Sequence, residues 1–91
     1  MQFMWAPAKA RENLRKHGVS FEEATTVFAN PLARIFDDPD HSIGEQREII
    51  IDHSARERLL LVSFTERGEF TRIISARSPD VRERRDYEEN S

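Results

Sequence analysis

Between Glu48 and Ala76 the sequence runs as three branched-residue segments parted by short polar turns, and that pattern admits few folds. Glu48–Asp52 and Leu59–Thr65 are rich in Ile, Leu and Val, and a polar turn around Ser54–Glu57 joins them. Glu66-Arg67-Gly68-Glu69 forms a hairpin turn leading into Phe70–Ala76. Strands joined by links this short pair antiparallel, because a parallel pair requires a crossover of a dozen or more residues. A meander of this kind has a face to bury, and the rest of the chain must cover it.

The flanking segments supply helices. Phe3–Trp5 is a short strand candidate stopped by Pro7. Pro7–Lys16 holds good helix formers, with proline in the tolerated first turn, and Gly18 supplies the left-handed residue that ends a helix. Ser20 is the expected N-cap of a second helix, with Glu23 completing a Ser-x-x-Glu capping box. Phe21, Ala24, Val27 and Phe28 recur at helical spacing as its buried stripe, and Asn30-Pro31 stops it. Ala33–Phe36 reads as a strand and Asp37–Gly44 as a polar loop. Pro79 or Asp80 opens a last helix running to about Glu89, with Asp80 and Glu83 as a second capping pair. The expected fold is a single small α+β domain over residues 1–91. It has an antiparallel sheet, two N-terminal helices and a C-terminal helix.

Composition narrows the chemistry. The 91 residues contain no cysteine, which excludes disulfides and zinc–thiolate sites. No segment approaches membrane-spanning length and the N-terminus lacks a signal-peptide pattern, so a soluble, cytoplasmic protein with no membrane contact is expected. The net charge of −3 argues against a general polyanion sponge. Charge is nevertheless grouped. Lys9, Arg11, Arg15, Lys16 and His17 lie early, Asp37, Asp38, Asp40 and Glu45 centrally, and Arg67, Arg72, Arg77, Arg82, Arg84 and Arg85 late. Patches of both signs suit one anionic ligand and one basic partner, and equally a solvated surface of mixed charge.

Arg77 is the leading candidate for binding an anion. It closes the last strand just before a turn, where a planar, permanently charged fork can donate two parallel hydrogen bonds to a phosphate. Strand alternation places Phe70, Arg72, Ile74 and Ala76 on one face, and Thr71, Ile73, Ser75 and Arg77 on the other. Arg67 sits on the preceding hairpin turn; surface ion pairs with carboxylates would account for either arginine. His17, at a helix C-terminus, suits proton transfer near neutral pH, although a plain C-terminal cap explains it as well. Asp37-Asp38-Pro39-Asp40-His41 has acidic oxygens but not the spacing of a calcium loop, so no metal site or other cofactor is expected. His53-Ser54 lacks support for a triad. The three glycines stand apart at 18, 44 and 68, so no phosphate-cradling loop exists. Tyr87 suits either packing or stacking on a base.

Several segments in one order resemble the BrnT family of toxins from type II toxin–antitoxin systems. They are Lys9 with Asn13, Lys16-His17-Gly18-Val19, Ser20-Phe21-Glu22-Glu23-Ala24 and Val27-Phe28. Leu60-Leu61-Val62, Thr65-Glu66-Arg67, Arg72 through Arg77, and Glu83-Arg84-Arg85 with Tyr87 follow. The resemblance implies a RelE-like fold and a ribonuclease that slows translation. It also implies a BrnA-like antitoxin with a ribbon-helix-helix DNA-binding part, through which alone operator DNA would be met. It maps functional positions onto Lys9, His17, Arg67 and Arg77, with Glu83 and Arg84 as further candidates and Arg72 and Arg84 as RNA contacts. Two departures stand out: Ala6 where an acidic residue usually follows the tryptophan, and Asp52 where glycine commonly closes a strand. The second is expected to alter only a turn. The implied mechanism needs no metal: the RNA 2′-hydroxyl attacks the adjacent phosphate in line, helped by positioning and positive charge. The competing classes are a nonenzymatic protein-interaction module and a metal nuclease using the Asp37–His41 loop.

Overall fold

The computed structural model describes residues 1–41 and 44–89; the Ser42-Ile43 part of the expected polar loop lies outside the described residues. The chain runs β1 (Gln2–Met4), α1 (Pro7–His17), α2 (Phe21–Thr26), β2 (Arg34–Asp37), β3 (Glu48–His53), β4 (Leu59–Arg67), β5 (Phe70–Arg77) and α3 (Val81–Glu89), with short 3-10 turns at Val27–Ala29 and Pro39–His41. The expected meander forms: β2, β3, β4 and β5 pair antiparallel in sequence order. The sheet as a whole is mixed, because β1 adds to the outer edge of β5 in parallel, Gln2 opposite Phe70 and Met4 opposite Arg72. This pairing joins segments some seventy residues apart and leaves no local trace in the sequence.

α1 starts at Pro7 and ends at Gly18, whose φ of 69° closes it with an N–H bond to the Leu14 carbonyl at 2.9 Å. Ser20 caps α2 as expected, its Oγ accepting from the Glu23 N–H at 3.0 Å. The reciprocal half of that capping box is not made. The buried Glu23 carboxylate instead accepts from the Arg58 guanidinium and, at 2.6 Å, from Ser54 Oγ, tying α2 to the β3–β4 turn. A charged donor outcompetes a peptide N–H for a carboxylate. At α3 both halves form: Asp80 Oδ1 accepts from Glu83 N–H at 2.7 Å, and Glu83 Oε1 from Asp80 N–H at 2.8 Å.

One face of the sheet carries the core. Ile50, Leu60, Val62, Phe64, Ile73 and Ala76 pack against Val19, Phe21, Ala24 and Val27, all at most 2% exposed. Edge-to-face ring pairs run through it, Phe3–Phe28 at 5.1 Å, Phe28–Phe64 at 5.0 Å and Trp5–Phe21 at 5.9 Å. α3 lies on the opposite face and contributes no buried residue.

The alternation expected for β5 is broken. Ser63 pairs with Ser75, but the next residue, Phe64, pairs with Ile73, so Ile74 is an extra residue in a bulge. Thr71 and Ile73 therefore share the core face with Ala76, while Arg77 turns to the α3 face, the side that carries Arg72. Simple alternation put Arg77 with Thr71 and Ile73; the inserted residue reverses that assignment.

Candidate active site

Arg77 ends β5 opposite Leu61 of β4 and turns toward α3. Its Nη1 and Nη2 donate to the two oxygens of Glu83 at 2.8 and 3.0 Å, and Nη1 also to the Ser78 carbonyl at 3.2 Å. The Arg77 hydrogen bond holds the Glu83 carboxyl below its usual range. Because Glu83 also caps α3, one carboxylate fixes both the helix start and the guanidinium. The pairing uses the outer end of the fork. The Nε–H and the remaining Nη2–H, which lie along one side of the five-donor plane, meet no acceptor among the described residues, and the side chain is 38% exposed. That side matches two oxygens of a phosphate without the Glu83 pair breaking.

The strand end is held from behind by Asn13, buried on α1. Its Oδ1 accepts from the Ala76 N–H at 3.0 Å, and its Nδ2 donates to the carbonyls of Ala76 at 2.8 Å and Val19 at 2.9 Å. β1 covers β5 only from Phe70 to Arg72, so the Asn13 amide takes the place of a strand peptide where β1 has ended. It thereby sets the position of the residue that follows, Arg77.

The other expected site residues do not form one cluster with Arg77. Arg67 lies not on the hairpin turn, which Gly68 and Glu69 alone make, but at the end of β4, because Glu66 and Arg67 still pair with Thr71 and Phe70. It bonds Glu45 at 2.6 Å, and Arg72 approaches the same carboxylate at 3.5 Å. Arg67 pairs with Phe70, seven residues before Arg77, which at about 3.3 Å per residue is roughly 20 Å along the strand. Lys9 and His17 are exposed on α1, one helical turn to either side of Asn13, in the layer opposite α3. His17 stands at the Arg77 end of the sheet, next to Gly18, whose carbonyl accepts from Arg58 at 3.1 Å. Arg84 is exposed on α3. Of the acidic loop, Asp38 pairs with His41 at 3.1 Å and Asp37 accepts from Gln46 at 3.0 Å.

Two further residues, Asn13 and Asp52, shape the site. Asn13 was legible only as part of the resemblance. Asp52, expected to alter only a turn, is a buried junction: it accepts from Asn30, from the His53 N–H at 2.7 Å and from the Tyr87 hydroxyl at 2.9 Å. Burial raises its carboxyl, but the His53 and Tyr87 hydrogen bonds outweigh that and lower it. Burial and then the Asp52 bond push the Tyr87 hydroxyl up. Asp52 thus pins α3 from one side as Arg77 does from the other.

Between these two ties a groove of about 490 Å³ opens beneath α3, floored by Phe36, Ile49, Ile51 and Leu61. Glu83, Asp86 and Tyr87 of α3 form one wall, and Arg34 of β2 lies across from them. No helix among the described residues is long and apolar enough to cross a membrane.

Residues 5–83 match the family model for the ribonuclease toxin BrnT of type II toxin–antitoxin systems. No curated protein matches the chain. The 1.1 Å crystal structure of the Brucella abortus ribonuclease toxin BrnT shares its fold, with a TM-score of 0.69 at 24% identity, covering 88% of this chain and 97% of that one.

Proposed function

The chain belongs to the BrnT family of ribonuclease toxins of type II toxin–antitoxin systems, and we propose that it cuts RNA with Arg77 as the phosphate grip. The observation that carries this reading is the free side of the Arg77 fork. Glu83 holds the guanidinium rigid from one edge while two N–H groups on the other edge remain to receive nonbridging oxygens. Donors fixed in advance stabilise charge as it develops on the phosphorane without reorganising during the reaction.

The 2′-hydroxyl of the preceding ribose attacks this phosphate in line, the P–O5′ bond breaks, and the products are a 2′,3′-cyclic phosphate and a 5′-hydroxyl. No metal takes part in this scheme. His17 lies at the same end of the sheet but in the α1 layer, so RNA that passes round the end of β5 meets it as the proton carrier, and Lys9, two helical turns further along α1, adds charge along that path. Arg67 and Arg72 stand too far along the strand to share the Arg77 phosphate, so they hold the RNA at neighbouring phosphates, with Arg84 as a further contact on α3. Glu45, whose carboxyl the Arg67 hydrogen bond holds low, exchanges for RNA at that end.

In the cell this activity destroys messages in the cytoplasm and slows translation. A BrnA-like antitoxin with a ribbon-helix-helix part neutralises it and alone touches operator DNA. Expression without a partner, followed by mapping of RNA ends, tests the reading. Growth arrest and new message ends are expected from the native chain. An Arg77→Ala chain that arrests growth equally at the same abundance would overturn the role of Arg77, and cleavage by purified protein that stops in EDTA would overturn the metal-free scheme.

A further inference from the structure

Phe36 is the odd member of the groove beneath α3. It lies on the sheet face that α3 covers, opposite Ile49, yet more than half of it is exposed. The core does not explain this aromatic side chain, because Phe21, Phe28 and Phe64 belong to the other face. We propose that the groove seats the nucleobase next to the phosphate held by Arg77, with Phe36 as its stacking face; this rests on the ribonuclease reading above.

Three observations converge on it. The first is adjacency. Leu61 of the groove floor is the ladder partner of Arg77, and Glu83 of the groove wall is its hydrogen-bond partner. One ribose separates a phosphate from a neighbouring base, and one ladder position separates Arg77 from the floor. The second is size and lining. A volume of about 490 Å³ with an apolar floor and a few polar groups at the rim is in the range of clefts that take small organic groups, whereas a protein partner covers a broader surface. The third is edge chemistry. Arg34 lies two residues before Phe36 on the same face and offers N–H donors to the edge of a base laid on the ring. Single-stranded RNA is read in this manner, by unstacked bases laid on aromatic rings with polar groups along their edges.

The pocket makes Phe36 a specificity-determining residue and gives the enzyme a base preference beside the cut. The test uses the full-length chain freed of its antitoxin, total RNA as substrate, and sequencing of the cut ends. Phe36→Leu keeps the apolar volume but removes the flat face. Its kcat/KM is expected to fall about tenfold, chiefly through KM, with the base frequencies flanking the cut flattened. Phe36→Trp is expected to restore both, and Arg34→Gln to change the flanking frequencies. Unaltered rates and frequencies in a Phe36→Leu chain that melts like the native one would overturn the proposal while leaving the ribonuclease reading intact. So would a Phe36→Leu chain that cuts normally but loses antitoxin binding, which would make the groove a protein-docking site. A native chain that neither binds nor cuts RNA would instead fell the ribonuclease reading, and this proposal with it.

Discussion

The two faces of the sheet are built to opposite ends. Against α1 and α2, Phe21, Leu60, Val62, Phe64 and Ile73 are at most 2% exposed and their rings and branches interlock. Against α3 no helix residue is buried, and the contact is made by polar ties at Arg77–Glu83 and Tyr87–Asp52 and the edge-to-face pair of Tyr87 with His53, with an open groove between them. A domain of this size buries a limited fraction of its surface, so its hydrophobic stabilisation is concentrated where packing is complete. The other face keeps a partly open apolar floor, over which α3 is held by hydrogen bonds at its two sides.

Substitutions on the two faces should therefore fail differently. The largest effect is expected from Phe64→Ala, which opens a cavity in the packed face and costs about 4 kcal/mol, measured by denaturant unfolding. A loss under about 1 kcal/mol would mean that the α1/α2 face is not the main source of stability. Asn13→Ala belongs to both faces. It strips partners from the Ala76 N–H and from the Ala76 and Val19 carbonyls, so about 3 kcal/mol should be lost and cleavage should fall through displacement of Arg77. Loss of stability with cleavage unchanged would show that the strand end does not set the guanidinium.

Arg77→Ala lies wholly on the α3 face. Cleavage should drop about a hundredfold or more, while the melting temperature moves by a few degrees at most, because the pair with Glu83 is partly solvated. The smallest effect concerns acid. Arg77 holds the Glu83 carboxyl below its ordinary value of 4.5, so its contribution to stability is complete above that pH and fades as the pH falls through the lowered folded-state value. Glu83→Gln should flatten this acid limb of the stability profile. Glu48 has the opposite sign: burial, then Glu66 and Asp37, raise its carboxyl, so its contribution favours low pH and is lost as the pH rises through the raised value. An acid limb unchanged in Glu83→Gln would show that the α3 tie adds nothing to stability.

Much of this architecture was legible in the chain. The β3–β5 meander followed from branched runs and short turns, and the α2 stripe from its spacing. The ends of α1 and α3 followed from Pro7, Gly18 and the Asp80–Glu83 pair. Arg77 stood out by its place at the end of a strand. The Ser20–Glu23 box was half legible: the cap was local, but the rival for the Glu23 carboxylate, Arg58, lay 35 residues away.

The sequence by itself determined which segments become helix or strand, because those choices rest on backbone propensity, capping and side-chain period within a few residues. Tertiary structure alone decided that β1 joins in parallel and that a bulge at Ile74 turns Arg77 toward α3. It also decided that Asn13 stands in for a missing strand, and that Asp52 anchors Tyr87. The bulge arises across the β4–β5 hairpin, where Ser63 meets Ser75 and Phe64 meets Ile73. The other three depend on partners 35 to 68 positions apart, as with the 63 residues between Asn13 and Ala76. At that separation no local periodicity records which polar group will meet which, and only the packed chain brings them together.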